Sequence, residues 1–255
     1  MQQSFADVLN FLAKSVIIEK RQVSDMLKYT TILFDADNTL FDFLRAEREA
    51  LPEALLQMGV TPTEEMISVY SSINDSYWKR LERGEIDKAS LRVQRFVSFC
   101  AHYGLSLDAE RLAVAYTDAL SQKSHLLDGA LDVCRALHAH CRLFLVTNGI
   151  ASVQRGRFTP SPLAAFIEKC YISEEVGYEK PSVHYFDAVK ADIKDFDAAT
   201  TLVVGDSLSS DIQGGINAGL DTCWLNRSGK PVPAEMPITY VIERLEELIP
   251  LILGD

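Results

Sequence analysis

Three short apolar runs, each ending in a polar cluster, most constrain the fold of this chain. They cover residues 29–34, 143–146 and 201–205 and are rich in β-branched and aromatic residues. Such runs are typical of strands that are buried on both faces of a parallel sheet. In an open α/β sheet, ligands bind beyond the carboxyl ends of the strands. We therefore expect the polar residues after the three runs to converge on one edge of the sheet.

The order of the predicted elements indicates an α/β fold, a Rossmann-like doubly wound parallel sheet with a helical insert. Helices are predicted over residues 46–58, 63–82, 88–103 and 108–121, and strands and helices then alternate as far as a final strand at 238–241. The predicted organisation is an N-terminal extension (1–27), a core (28–44 and 127–255) and the insert (45–126). Met26 directly precedes the first strand, and as an alternative start it would make residues 1–25 an appendage.

Composition and charge exclude several classes of protein. A formal net charge of -11 and a pI near 5.0 argue against a nucleic-acid polymer as partner, because binding to a phosphate backbone requires clustered Lys and Arg. The apolar stretches of the first 28 residues are interrupted by charges, which argues against a signal peptide or membrane span. Five singly spaced cysteines indicate reduced thiols. We therefore expect a cytoplasmic protein with neither a membrane nor a nucleic-acid partner.

Four polar strings lie in a fixed order along the chain. Each is weak evidence alone, because short strings recur by chance. Their shared placement at predicted strand ends and helix starts favours a joint function in phosphate chemistry. The strings are Asp35-Ala36-Asp37-Asn38-Thr39, Thr147-Asn148-Gly149, Lys180-Pro181, and Gly205-Asp206 with Asp211 beyond.

The two aspartates of the first string predict a two-step displacement at phosphorus. Asp35 is the expected nucleophile, forming an aspartyl-phosphate that water then attacks. Asp37 is expected to protonate the leaving alkoxide and later to deprotonate that water. Thr39 is expected to help hold the turn that aims both carboxyl groups at one phosphorus atom.

Oxygen ligands near the first string predict a Mg²⁺ site. Mg²⁺ takes one or two carboxylates and keeps several waters. Asp35 and Asp206 are expected as direct ligands, with the backbone carbonyl of Asp37 as a third. Asp211 is expected farther out, bonded through water or orienting the ligands.

The remaining strings predict how the substrate phosphate is held. The hydroxyl of Thr147 and the backbone N–H groups of Asn148 and Gly149 are expected to bind the phosphoryl oxygens, and Lys180 to offset their charge together with that of the nucleophile. Pro181 is expected in the first turn of the following helix.

The four strings resemble the motifs of the haloacid dehalogenase-like (HAD) superfamily, and the insert resembles its helical C1-type cap. Residues 172–177, 180–181, 205–207, 210–220 and 222–226 are similar to the bacterial pyrimidine 5'-nucleotidase branch. The resemblance implies a Mg²⁺-dependent phosphatase whose small phosphorylated substrate is a nucleoside monophosphate. Dehalogenases of the superfamily lack the second aspartate, so Asp37 favours phosphoryl transfer. The segment 158–162 and the first 27 residues depart from the family pattern.

Other functions stay open on sequence grounds. One is a phosphatase or mutase acting on sugar phosphates or other small organic phosphates such as phosphoglycolate. Another is a phosphonatase, which would need a lysine of the cap to form an imine with its substrate, and Lys79 is the candidate. A binding protein without turnover is a third possibility, and the intact set of strings weighs against it. Six residues of the insert are candidates for contacts with base and ribose, although helical spacing favours packing for the aromatic ones: Tyr77, Trp78, Arg80, Arg92, Arg95 and Phe96.

Overall fold

A six-stranded parallel sheet forms the centre of the molecule. The computed structural model describes residues 27–254, so the predicted N-terminal extension lies outside the described residues except for Leu27. The strand order is β3-β2-β1-β4-β5-β6, and all neighbouring strands are parallel. The strands are β1 (Thr31–Phe34), β2 (Arg142–Thr147), β3 (Lys169–Ile172), β4 (Thr201–Gly205), β5 (Asp221–Leu225) and β6 (Tyr240–Ile242). This order confirms the doubly wound fold and places the switch point, where ligands bind, at the end of β1.

Ten α-helices join these strands within residues 27–254. Five lie between β1 and β2, the first four of them in the predicted insert, and the other five connect or follow the later strands. They are α1 (Phe43–Gln57), α2 (Glu64–Glu82), α3 (Lys88–Tyr103), α4 (Ala109–Ser121), α5 (Ala130–His138), α6 (Ala151–Phe158), α7 (Ser173–Val176), α8 (Val183–Asp192), α9 (Gln213–Asn217) and α10 (Leu248–Leu253).

The central strands are buried on both faces. In β1, Ile32 and Phe34 pack into one core with residues of α5 and α10, whereas Leu33 packs into a second core with residues of α8. Alternate residues of a strand point to opposite faces of its sheet, so helices on both faces require an uninterrupted apolar run. This arrangement explains why the first apolar run lacks polar alternation.

The four inserted helices have a core of their own. Their N-termini are capped by Asp42, Thr63, Asp87 and Asp108, whose side chains each accept a backbone N–H of the first turn. Aromatic side chains of α2, α3 and α4 pack together around Tyr70. The helix bounds agree with the predicted ones to within three residues.

The two chain connections to the insert run side by side. Phe41 forms an antiparallel bridge with Leu126, and the N–H of Leu127 donates to the carbonyl oxygen of Leu40 at 2.9 Å. The N–H of Asp42 likewise donates to His125 at 2.9 Å. The predicted domain bounds near residues 45 and 126 therefore lie next to each other in space. The division into a core and a cap itself remains a proposal.

One local prediction is wrong. Helix α8 begins at Val183, and the Ser182 hydroxyl caps it, so Pro181 precedes the helix rather than occupying its first turn. A helical turn over Leu208–Ile212 leads into α9. No helix among the described residues is long and apolar enough to cross a membrane.

Candidate active site

The turn that follows β1 places Asp35 and Asp37 in one cavity. The N–H of Asp35 continues the sheet by donating to Val204 at 2.8 Å, and the carbonyl of Ala36 then accepts from two N–H groups farther along the turn. Asn38 takes a positive φ of 61°, which asparagine tolerates better than most residues. The chain reverses sharply here, and both carboxyl groups line the cavity.

Lys180 is the buried cation of the site. Its Nζ lies 2.7 Å from Oδ1 of Asp35, 2.6 Å from Oδ1 of Asp211 and 2.7 Å from the carbonyl oxygen of Val146. These three acceptors use all three ammonium protons. Burial acts to lower the pKa of Lys180, but the negative charges of Asp211 and Asp35 outweigh it and raise the pKa, so the lysine is charged.

The two carboxylates that contact this ammonium group belong to a cluster of three. Asp35, Asp206 and Asp211 each offer an oxygen within 4.8 Å of the others. Burial, reinforced by the charge of Asp211, raises the pKa of Asp35 to about 7. Burial and the charges of Asp35 and Asp211 likewise raise the pKa of Asp206 well above its ordinary value. One lysine does not balance three carboxylates, so this oxygen donor set fits a divalent cation.

Asp211 is engaged through both of its oxygens. Oδ1 bonds to Lys180, and Oδ2 accepts the N–H of Ser207 at 3.1 Å. Gly205 permits this close approach, because a Cβ atom there would lie 2.3 Å from Oδ2 of Asp211. Asp206 is fixed differently, since its backbone carbonyl accepts the indole N–H of Trp224 at 2.9 Å.

The loop after β2 is hydrogen-bonded to Lys180 and to α6. Asn148 accepts the N–H of Lys180 at 2.9 Å and donates to its carbonyl at 2.8 Å. The Thr147 hydroxyl oxygen accepts from the N–H of Gly149 at 3.0 Å and from Nε2 of Gln154 at 2.8 Å. Both lone pairs of this hydroxyl are used, so its proton is available to a ligand. The Gly149 N–H, expected to bind phosphate, is in this arrangement bound to Thr147.

The predicted site residues, with one exception, line a single cavity of about 460 Å³. The exception is Thr39, which is fully buried and whose hydroxyl has no hydrogen-bond partner within residues 27–254. Any contribution of Thr39 to the turn is thus made by packing. The lining includes Asp35, Asp37, Thr147, Asn148, Gly149, Lys180, Asp206 and Asp211.

Two residues that sequence reasoning missed contact Asp37 from α6. Gln154 donates from Nε2 to Oδ2 of Asp37 at 2.7 Å, and Arg157 forms an ion pair with Oδ1. Both side chains are almost fully buried. Their signal in the sequence is a pair of polar residues three positions apart, on one face of the helix that follows Gly149.

The inserted helices contribute polar groups to the opposite wall of the cavity. Glu47 and Asn74 are buried, and Nδ2 of Asn74 donates to Oε1 of Glu47 at 2.7 Å. Of the six candidates predicted in the insert, only Trp78 lines this cavity. Arg95 does not line the cavity itself but donates to Asn74 of its wall. The other four have partners elsewhere: Tyr77 with Ser98, Arg80 with Glu85, Arg92 with Glu174, and Phe96 in the aromatic core.

Comparison with known proteins identifies the family. The model of the haloacid dehalogenase-like hydrolases matches residues 29–219. The pyrimidine 5'-nucleotidase PynA of Streptococcus pneumoniae is 35% identical over 222 residues, which are 87% of this chain and 94% of that protein. The pyrimidine 5'-nucleotidase YjjG of Escherichia coli is 33% identical over 87% of this chain and 97% of its own length.

A solved structure agrees with this assignment. The crystal structure of YfnB from Bacillus subtilis, described as a HAD-hydrolase bound to magnesium, superposes with a TM-score of 0.84 at 38% identity, covering 88% of this chain and 98% of that one. The chain therefore belongs to the haloacid dehalogenase-like hydrolase family. Within that family it is an enzyme of the phosphoric monoester hydrolase class.

Proposed function

We propose that this protein is a Mg²⁺-dependent 5'-nucleotidase that removes phosphate from pyrimidine nucleoside monophosphates through an aspartyl-phosphate. The observation that carries the chemistry is the position of Asp35. Its Oδ1 is held by Lys180 while the carboxyl group faces a cavity that also contains Asp37 and Thr147. A nucleophile, a proton donor and an oxyanion partner thus share one space.

In the first step, an oxygen of Asp35 attacks phosphorus and the bond to the nucleoside oxygen breaks. Asp37 donates its proton to that leaving oxygen. Lys180 offsets the charge of Asp35, and the Thr147 hydroxyl donates its free proton to a phosphoryl oxygen. The products of this step are the nucleoside and phosphorylated Asp35.

In the second step, water attacks the phosphorus of the aspartyl-phosphate. Asp37, now without its proton, accepts one from the attacking water. The bond between phosphorus and Asp35 breaks, which returns the free carboxylate and releases inorganic phosphate. Asp37 ends the cycle with the proton that the next leaving group requires.

We propose that Asp35, Asp206 and the backbone carbonyl of Asp37 hold Mg²⁺. The cation would supply charge neutralisation of the phosphate and of the surrounding carboxylates. Asp211 is placed outside the direct ligands, because its two oxygens already bind Lys180 and Ser207. The magnesium in the related YfnB structure supports the choice of metal.

The wall formed by the inserted helices supports a substrate larger than phosphate. A cavity of about 460 Å³ lies within the range of roughly 300–1,000 Å³ that is usual for small-molecule sites. Glu47 accepts through one oxygen from Asn74, which itself accepts from Nη1 of Arg95 at 2.7 Å. This chain of bonds fixes a buried acceptor that suits an N–H or O–H group of a base or sugar. The indole of Trp78 offers an apolar surface beside it.

We take residues 45–126 as the cap that covers this substrate, and the cytoplasm as the location of the enzyme. The acidic net charge of -11 supports a small phosphorylated partner over a nucleic-acid polymer. The two pyrimidine 5'-nucleotidases among the relatives support the choice of a nucleoside monophosphate.

A panel of phosphate monoesters tests the substrate. We expect kcat/KM to be higher for dTMP, UMP and 5-substituted analogues than for hexose phosphates or phosphoglycolate. Trp78→Leu and Glu47→Gln should lower kcat/KM for nucleotides more than for p-nitrophenyl phosphate, which lacks base and ribose. Arg80→Ala is the matched control, because Arg80 lies on the same helix but pairs with Glu85 outside the cavity. Background activity on nucleotides, together with clear activity on a sugar phosphate, would contradict the proposed substrate.

A further inference from the structure

Two buried side chains of α6 hydrogen-bond to the carboxyl group of Asp37. Nε2 of Gln154 lies 2.7 Å from Oδ2 of Asp37, and Nη2 of Arg157 donates to Oδ1. Gln154 is 2% exposed and Arg157 is 1% exposed. One donor therefore engages each oxygen of the carboxyl group, which fixes both its position and its plane.

These two contacts are part of a continuous set of hydrogen bonds. Nη2 of Arg157 also donates to Oε1 of Gln154 at 2.7 Å, and Nε2 of Gln154 is shared with the Thr147 hydroxyl at 2.8 Å. The amide thus connects the carboxyl group of Asp37 to a residue proposed to bind phosphate. Movement of either group disturbs the other.

Asp37 is the ion-pair partner of Arg157 among the described residues. The guanidinium carbon lies 5.3 Å from the ring centre of Phe41 and 5.9 Å from that of Phe43. These rings shield a buried cation that is costly to desolvate unless an anion accompanies it. The Arg157 guanidinium therefore pairs with Asp37 and is not exposed to solvent.

Gly149 makes room for this arrangement. A Cβ atom at residue 149 would lie 2.0 Å from Nε2 of Gln154. The glycine of the Thr147-Asn148-Gly149 string thus has a steric role toward the amide, separate from any role of its N–H group. This close packing leaves the Gln154 side chain little freedom to turn away from Asp37.

We propose that Gln154 and Arg157 are positioning residues that hold Asp37 for both of its proton transfers. The inference rests on the proposed function. Each transfer requires the same carboxyl group to reach an oxygen at phosphorus, first in the leaving group and then in water. The two donors occupy one lone pair on each oxygen, so the remaining lone pairs serve the transferred proton.

Kinetics of Gln154→Leu and Arg157→Met test this role. We expect kcat for nucleotides to fall about 10- to 100-fold, with KM nearly unchanged; this is less than the roughly 10²- to 10⁴-fold contribution of general acid–base catalysis, because Asp37 itself is still present. p-Nitrophenyl phosphate should be affected less, because its leaving group needs less protonation. Arg157→Lys should recover part of the loss. Arg155→Met is the matched control, since Arg155 lies on the same helix in an exposed pair with Glu175.

A double-mutant cycle separates this inference from the proposed function. If Arg157 acts through Asp37, adding Arg157→Met to Asp37→Asn should cost little beyond the single Asp37→Asn change. Additive losses, or equal losses on both substrates, would overturn the positioning role and leave the mechanism intact. If Asp37→Asn instead lowers activity equally on nucleotides and aryl esters, the proposed proton-transfer role of Asp37 itself is contradicted. Should Arg157→Met fail to fold by circular dichroism, Gln154→Leu carries the same comparison.

Discussion

Nζ of Lys88, at the start of α3, lies 2.7 Å from the carbonyl oxygen of Asn148 and 2.6 Å from the hydroxyl of Ser173. An inserted helix therefore reaches the loop that follows β2. Burial lowers the pKa of Lys88, and the negative charge of Glu179 at 3.1 Å opposes that effect. Placement of the insert over the sheet is thus coupled to the position of the proposed phosphate-binding loop.

Lys88→Met should weaken catalysis toward every phosphate ester. The substitution removes the bond to Asn148, so we expect kcat/KM to fall about tenfold, which corresponds to about 1.4 kcal/mol. Nucleotides and p-nitrophenyl phosphate should be affected alike, because the contact lies on the phosphate side. Lys169→Met, which breaks an exposed pair with Asp192, serves as control. A loss confined to nucleotides would instead assign Lys88 to substrate selection.

Asp35→Asn should abolish turnover and preserve the fold. An amide does not attack phosphorus, whereas the near-isosteric change removes one of three crowded carboxylates. Circular dichroism should resemble that of the unchanged protein, and p-nitrophenyl phosphate hydrolysis should fall to background. Retained activity would contradict the assignment of Asp35 as nucleophile.

Asp206→Asn and Asp211→Asn should differ in what they damage. Chelation should stop hydrolysis in the unchanged protein, and added Mg²⁺ should restore it. We expect Asp206→Asn to raise the Mg²⁺ concentration needed for half-maximal activity more than Asp211→Asn does. Asp211→Asn should chiefly reduce stability, by up to about 3 kcal/mol, because it breaks a buried ion pair with Lys180. Titrations with Mg²⁺ and thermal melts of both variants give the comparison, and the reverse order would exchange the two roles.

Asp221→Asn should make stability less dependent on acid pH. The carboxylate accepts from the Tyr29 hydroxyl at 2.5 Å and pairs with Lys28 at 3.0 Å. The Tyr29 hydrogen bond chiefly lowers the pKa of Asp221. A lowered folded-state pKa stabilises the protein above the ordinary aspartate value of about 4, and this contribution is lost as pH falls through the folded-state value. The difference in Tm between the two proteins should therefore be largest at pH 7 and shrink below about pH 4. A constant difference would contradict the assignment.

Sequence patterns predicted the strands and helices in which the spacing of apolar residues follows from the faces that are buried. The run before Asp35 indicates a strand because helices cover both of its faces, and α3 matches its predicted bounds because Asp87 caps it and Gly104 ends it. Helix α1 begins three residues earlier than predicted, since Asp42 caps it immediately after the turn. Local sequence signals thus predicted the presence of each element more reliably than its first and last residues.

Side chains that meet through tertiary packing were harder to predict. Nothing near Gln154 or Arg157 in the sequence indicates that Asp37 lies beside them, because these contacts span more than a hundred residues. Glu47 and Asn74 likewise look like ordinary polar residues of amphipathic helices until α1 and α2 pack together. The strings at strand ends were predictable because the sheet itself brings them together.

The bridge between Phe41 and Leu126 gives the inserted helices a single point of entry and exit. The stretch between these residues can therefore vary without a change in the order of the strands, provided that contacts such as that of Lys88 with Asn148 are kept. If residues 45–126 are the cap that we propose, substrate choice depends mainly on this stretch, whereas the side chains proposed for bond cleavage lie outside it. On that proposal, changes within one continuous stretch of the gene would alter the substrate and leave the catalytic side chains in place.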